Sequence, residues 1–212
     1  MTAAPQSAPS RRTELTLRVA AFLMAGVSLA ALLAHVFGLL PMPYFLTVFG
    51  VPSLLLLFVL AALGRRINAR VFTRALVTGL WAGLIATFFY DGVRLVIAQT
   101  HLFGYTGFVP ILLFGSWITG MEPTTLPAKI AGWGYHYWNG ITFGIMYALT
   151  FPGRHWLFGV GYAILMELCM LGVFPMFLRV TNKVDFIAVS MIGHVFYGAV
   201  LGILVQRYTL RQ

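Results

Sequence analysis

The sequence predicts an all-α, polytopic membrane protein that crosses a bilayer about six times. Hydrophobic residues make up 60% of its 212 residues and charged residues only 9%, which lies outside the usual composition of a soluble domain. Several apolar runs approach or exceed the roughly 20 residues that a helix needs to span hydrocarbon. Stretches such as Ser53 to Leu63 are continuously apolar, unlike the alternating pattern of a membrane β-barrel. Helices are therefore expected, because backbone polar groups in lipid must be satisfied within each segment.

The apolar runs predict six spans, with boundaries set to within a few residues. They are Leu17 to Leu40, Tyr44 to Leu63, Ala75 to Ala98, Ile130 to Thr150, Leu157 to Leu178 and Phe186 to Gln206. Residues 1–14 are expected to form a flexible cytoplasmic tail, residues 15–63 an N-terminal transmembrane hairpin, and residues 75–206 a four-helix membrane domain. An external loop at residues 99–129 contains the apolar stretch Phe108 to Ile118. That stretch is too short to span, so we expect it at the interface or partway into the bilayer.

The basic residues predict an orientation. Ten of the fourteen flank alternate ends of the predicted spans: Arg11, Arg12, Arg18, Arg65, Arg66, Arg70, Arg74, Arg154, Arg207 and Arg211. Only Lys129, Arg179 and Lys183 flank the opposite ends, and Arg94 lies within a span. The positive-inside rule places both termini on the cytoplasmic side of the cell inner membrane. The net charge of +9 is then explained without nucleic acid as a partner. The lipid bilayer is the expected partner, and a homo-oligomer or membrane complex stays open.

Two of the predicted spans share one pattern of histidine and glycine. The two motifs are His136-x-x-x-Gly140-x-x-x-Gly144 and His194-x-x-x-Gly198-x-x-x-Gly202. Residues spaced by four line one stripe of a helix. The preceding spans also align, since Gly83 lies eight residues before Asp91 and Gly159 lies eight before Glu167. This pattern predicts two helical hairpins repeated in parallel topology, an arrangement known among transporters.

Four ionisable groups from four different predicted spans lie at similar depth, and such groups inside a membrane are costly and usually face the bundle interior. At about 1.5 Å per helical residue, Asp91, His136, His194 and Glu167 lie roughly 10, 9, 12 and 16 Å from the outer ends of their spans. Their similar depth predicts a polar pocket that handles protons or cations. Neighbouring polar groups expected to support it are Tyr90, Arg94, Asn139 and Tyr197. Arg94 follows Asp91 by three residues, a spacing typical of a structural salt bridge.

The same four groups permit other chemistries. Each histidine could instead hydrogen-bond a carboxylate or a backbone carbonyl and only tie neighbouring helices together. A divalent transition metal could take His136, His194, Glu167 and Asp91 as ligands. A bis-histidine haem is a less favoured case, because the carboxylates are close and there is no c-type attachment motif. No nucleotide loop or nucleophile elbow is present, so whether the chain is an enzyme stays open.

The segments Gly132 to His136, Gly144 to Ala148 and Gly193 to Gly202 resemble a family of uncharacterised bacterial multi-pass membrane proteins with paired His-x-x-x-Gly-x-x-x-Gly helices. The similarity covers about Ala75 to Val205. Members of that family typically have four spans, and the family implies no activity. The N-terminal hairpin and the long external loop depart from its pattern.

Three functions follow as hypotheses. The leading one is a small inner-membrane transporter or permeation protein whose His/carboxylate pocket faces the extracytoplasmic side. The second is a metal- or haem-binding membrane oxidoreductase or metal-handling factor. The third is a structural or assembly subunit of a membrane complex.

Overall fold

A computed structural model describes residues 9–105, 107–173 and 183–210. Within these ranges the chain forms helices and no strand, which confirms the all-α prediction. The helices are α1 Arg11–Val36, α2 Met42–Arg66, α3 Arg70–Thr100, α4 Val109–Thr119, α5 Leu126–Thr150, α6 Leu157–Val173 and α7 Lys183–Leu210.

Four of these helices, α1, α2, α3 and α7, are long and apolar enough to cross a membrane. Helix α5 has 25 residues but is not apolar enough by the same measure, and α6 has 17 residues. The number of six crossings therefore stays a prediction. The end of the predicted fifth span after Val173, residues 1–8 of the predicted tail, Arg179 and Arg211 lie outside the described residues.

Several boundaries differ from those predicted. Helix α1 begins at Arg11, inside the predicted tail, because the Ser10 side chain caps it by accepting a hydrogen bond from the Thr13 N–H at 3.2 Å. The predicted external loop contains α4 and also the first turn of α5, whose second residue is Pro127. Proline is favoured at that position because its missing N–H would be unpaired there anyway.

Helix α2 contains a π-helical segment, Leu46–Gly50. Pro52 lies two residues after its end. Proline removes one helical hydrogen bond and its ring crowds the preceding turn, which the wider π-helical turn relieves. Gly50 lies against α5 at this point, since a Cβ there would be 2.7 Å from the Trp138 ring. The second helix of the N-terminal hairpin therefore contacts α5 at Gly50.

Buried polar side chains add to the contact between α1 and α5. The Ser28 and Thr142 hydroxyl groups are 2.7 Å apart, and the Tyr135 hydroxyl donates to the Ser28 carbonyl oxygen at 2.7 Å. Arg18 donates to the Leu149 carbonyl oxygen at the other end of the same helix pair. These contacts show that α1 and α5 run antiparallel.

Glycines bring α3 and α5 into close contact. A Cβ added at Gly79 would lie 2.6 Å from the Cα atom of Ile145, and one at Gly83 would lie 2.6 Å from the Gly140 carbonyl oxygen. Small residues at such crossings let helix backbones approach closely. The two helices that carry Asp91 and His136 are consequently held in one register.

The contact between α6 and α7 repeats this arrangement at the equivalent positions. Gly159, the counterpart of Gly83, meets the Gly198 carbonyl oxygen, just as Gly83 meets that of Gly140. Four residues further on, Ala163 touches Gly198 where Thr87 touches Gly140. The predicted repeat of two hairpins thus has matching glycine contacts in both halves.

The two hairpins, α3 with α5 and α6 with α7, contact each other closely on one side and only slightly on the other. Helix α3 packs extensively on α7, and Gly193 lies against the Tyr90 ring. The equivalent contact between α5 and α6 is slight. A cavity lies between these two helices instead.

The helix ends that carry most of the arginines share one end of the bundle. Leu17, Leu57, Phe72 and Leu149 form one buried cluster there, and the Trp156 N–H donates to Gln206 at 2.9 Å. Helix α4 lies at the opposite end and packs on α5 through Gly115 and Gly132, where any Cβ would collide with backbone. The cytoplasmic orientation of the arginine-rich end remains a prediction.

Candidate functional site

The first histidine–carboxylate pair joins α3 to α5. His136 Nε2 lies 3.1 Å from both Asp91 oxygens. Arg94 Nη1 lies 3.4 Å from Asp91 Oδ1, and both side chains are buried. The predicted salt bridge between Asp91 and Arg94 is therefore present, with His136 as a third member.

Aromatic rings enclose the Arg94 guanidinium. Its central carbon lies 4.6 Å from the centre of the Tyr90 ring and 4.8 Å from that of Phe108. Gly107, with φ +80°, lies against Arg94 Nε, and a Cβ there would be 2.7 Å from that atom. Only glycine adopts this φ without strain. The positive charge beside Asp91 is thus fixed in place by its surroundings.

The second pair joins α6 to α7. Glu167 is 0% exposed, and its Oε2 lies 3.2 Å from His194 Nδ1. The same Nδ1 lies 2.9 Å from the Ser190 carbonyl oxygen, which only accepts hydrogen bonds, so Nδ1 carries a hydrogen in this contact. When the imidazole is neutral, His194 Nε2 can then accept a hydrogen bond from a molecule in the cavity.

The hydrogen bonding of Glu167 is incomplete. Neither of its oxygens makes a hydrogen bond of regular geometry to the described residues, although His194 Nδ1 lies 3.2 Å from Oε2 and the Ser190 side chain lies beside the carboxyl group. A buried carboxylate without a partner is strongly disfavoured. The group must therefore hold a proton or meet a positive charge from elsewhere.

Both pairs border one cavity of about 110 Å³. His136, Glu167, His194 and Arg94 line it, whereas Asp91 does not. At about 30 Å³ per water molecule, the cavity has room for three or four waters or a small ligand. It is well below the roughly 300–1,000 Å³ of pockets for drug-sized molecules, and so does not accommodate a haem macrocycle.

The predicted supporting residues lie around this cavity. Tyr90 stands between the two histidines, with ring centres 5.9 Å from His136 and 4.9 Å from His194. The Tyr197 hydroxyl donates to the Gly140 carbonyl oxygen at 2.7 Å. Asn139 lines the cavity, and its buried Oδ1 makes no hydrogen bond within the described ranges.

The four ionisable groups form two separate pairs. Within residues 9–105, 107–173 and 183–210, no three His, Cys, Asp or Glu side chains are placed to hold a metal ion together. A structural or catalytic zinc site needs three or four protein ligands. The predicted metal site of His136, His194, Glu167 and Asp91 is not assembled in this arrangement.

Sequence reasoning missed several residues that border the site. Ser190 lies four residues before His194 and extends its stripe, as Gly132 does before His136, so a longer pattern would have found it. Tyr105 contacts the edge of Phe186, and burial raises the pKa of its phenol above the ordinary value. Pro110, Ile111 and Phe114 of α4 complete the wall. No periodic pattern points to these loop and short-helix residues.

Comparison with known proteins places the chain in no family. No family model matches it, and neither a curated protein nor a solved structure shows significant similarity to it. The likeness to multi-pass proteins with paired histidine and glycine motifs therefore stays an expectation.

Proposed function

We propose that the chain is a small transporter or permeation protein of the inner membrane, with both termini cytoplasmic. In this proposal a proton or small cation enters the cavity from the extracytoplasmic side and is held by Glu167. His194 and His136 border its path.

Glu167 is the observation that carries the proposal. Its carboxyl group is fully buried, borders the cavity and makes no hydrogen bond of regular geometry to the described residues. Ionisable groups of this kind in membrane helices are expensive and commonly mark ion or proton pathways. A carboxyl group that served only packing would have a cation beside it, as Asp91 has in Arg94.

The histidines supply the neighbouring steps. His194 Nδ1 lies 3.2 Å from Glu167, and imidazole rings serve as proton shuttles in proteins. Tyr90 contacts both imidazole rings. Water in the cavity would connect the two pairs, because the polar groups needed to bind it are present.

The proposed entry lies at the end of the bundle covered by α4. Tyr105, Ile111 and Phe114 close the cavity there. Toward the arginine-rich end, the glycine contacts around Gly140 and Gly198 bring the helix backbones together. Access from the α4 end therefore requires the movement of side chains and one short helix, and not the separation of closely packed long helices.

Ion flux into proteoliposomes tests the proposal. Purified protein is reconstituted with an internal pH-sensitive dye, and a proton or potassium gradient is imposed across the membrane. We expect the wild type to dissipate the gradient of its ion and Glu167→Gln to fall to the rate of protein-free liposomes, because the amide neither binds a proton nor balances a cation.

Glu122→Gln is the matched control, since Glu122 is an exposed carboxylate in the segment before α5. It should keep the wild-type rate. Equal flux in wild type and Glu167→Gln, with both eluting as folded protein, would contradict the proposal and leave a structural or assembly role.

A further inference from the structure

We infer that the cavity binds a small organic cation with N–H donors, an alkylammonium or guanidinium ion, on Glu167. This inference rests on the proposed function and names the class of its substrate. It follows from comparing the two halves of the repeat position by position.

The first half contains such a cation within the chain. Three residues after Asp91 stands Arg94, whose guanidinium contacts the carboxylate and lies beside the rings of Tyr90 and Phe108. The equivalent position in the second half, three residues after Glu167, is Met170, which also lines the cavity. Among the described residues, Glu167 therefore has the histidine that Asp91 has, but not the cation.

The charges around the cavity lead to the same conclusion. Helix α3 supplies Asp91 and Arg94, whose charges neutralise each other. The other ionisable groups are His136 from α5, Glu167 from α6 and His194 from α7. The residues contributed by α1 and α4, such as Leu32 and Ile111, are uncharged. Counted over the described residues, an ionised Glu167 is thus one negative charge in excess, and a monovalent cation would balance it.

The lining favours an organic cation over a bare metal ion. Calcium and magnesium need six or more oxygen ligands, including waters, and Glu167 is the only carboxylate among the described lining residues. The wall is instead rich in aromatic rings, which attract ammonium and guanidinium groups through their faces. These rings belong to Tyr105, Phe114, Phe143, Tyr162, Phe186 and Tyr197.

The volume limits the size of the cation. A cavity of about 150 Å³ holds benzene, and this one has about 110 Å³. Methylammonium, ethylammonium and guanidinium fit within that space. Tetramethylammonium is larger and has no N–H group to donate to Glu167.

Isothermal titration of the purified full-length chain in detergent tests the inference. The probes are methylammonium and guanidinium chloride, with tetramethylammonium and potassium chloride at equal ionic strength. We expect the first two to bind at least about tenfold more tightly than the others, because only they offer charge-assisted N–H donors. Glu167→Gln should weaken binding at least about tenfold, and Glu122→Gln should leave it unchanged.

Met170→Arg is the more specific variant. It supplies the second half with the cation that Arg94 provides in the first, so it should abolish methylammonium binding without removing any acid or histidine. Met170→Leu is its control and should bind like the wild type. Undiminished binding in Met170→Arg would overturn the assignment to Glu167.

Labelling of the unmodified protein makes the test independent of any variant's folding. A hydrophobic carbodiimide reacts with carboxyl groups in apolar surroundings, and mass spectrometry follows its attachment to Glu167. Methylammonium should slow this labelling, and tetramethylammonium should not.

The outcomes separate the two proposals. Glu167-dependent proton flux without methylammonium binding or protection would overturn the organic-cation site and retain proton permeation. Methylammonium binding without flux of any tested ion would retain the site and remove transport. Absence of both would overturn both proposals.

Discussion

Asp91 and Glu167 each lie beside a histidine, yet within the described part of the chain only Asp91 also has a fixed cation. His136 is 3.1 Å from Asp91, and His194 is 3.2 Å from Glu167. Arg94 occupies the position after Asp91 that Met170 occupies after Glu167. At the scale of single residues, we expect this one difference to make neutralisation of the two acids affect stability in opposite directions.

Asp91→Asn is expected to destabilise the protein by about 3–5 kcal/mol, because it leaves the buried Arg94 charge without its partner. Thermal unfolding in detergent, followed by size-exclusion chromatography, measures the loss. The double variant Asp91→Asn with Arg94→Met should recover much of it, since no unpaired charge remains. A single variant as stable as the wild type would contradict the structural role of this pair.

Glu167→Gln is expected to leave the thermal unfolding temperature unchanged or to raise it. An amide costs less than a carboxylate to keep buried without a partner, and no described donor is lost in the exchange. The same unfolding measurement checks this. A fall as large as that of Asp91→Asn would show that Glu167 has a structural partner.

At the scale of the helices, the glycine crossings decide how close the paired side chains come. Gly159 is enclosed by Gly198 and Gly202, while Gly161, two residues later in α6, has open space where its Cβ would be. In α3, Gly83 is enclosed in the same way and Gly92 is not. Each helix therefore offers its own matched control.

Gly159→Ala and Gly83→Ala should each cost about 1–3 kcal/mol, because the added methyl forces two backbones apart. Gly161→Ala and Gly92→Ala should be neutral or stabilising by up to about 1 kcal/mol, because alanine is the better helix former. Thermal unfolding of the four variants measures the contrast. Equal effects within a helix would contradict the described register.

The helix pairs were predictable from the sequence to different degrees. The stripes through His136 and His194 indicated the faces that meet, because residues spaced by four share one side of a helix. Which face of α3 meets α7 was not predictable, since it depends on the packing of Tyr90 against Gly193. The hydroxyl contacts of Ser28 with Thr142 were missed for the same reason: single small polar residues carry no periodic signal.

At the scale of the whole molecule, composition established the helical class, and the positions of arginine indicated which helix ends lie together. The cavity could not be predicted, because it results from the slight contact between α5 and α6 where α3 and α7 pack closely. Its wall includes α4, which the sequence presented only as a short apolar stretch in a loop. How closely α4 approaches α5 depends on Gly115 and Gly132, each of which lies against the backbone of the other helix.

The alternating direction of the helices predicts the side on which each connection lies. Alkaline phosphatase, active only outside the cytoplasm, is to be inserted at Gly120 and at Gly153. We expect activity at Gly120 and none at Gly153, because the second lies at the arginine-rich end. The reverse pattern would contradict the predicted orientation, and equal activity would contradict the crossing of α5.

The matching glycine contacts of the two hairpins have a consequence for the origin of the chain. If both hairpins derive from one hairpin that paired with a copy of itself, the two acid–imidazole sites began identical, because both copies shared one gene. Fusion into one chain lets the two sites differ, and in this chain they do. Arg94 stands three residues after Asp91, whereas Met170 stands three residues after Glu167 and leaves that acid open to the cavity.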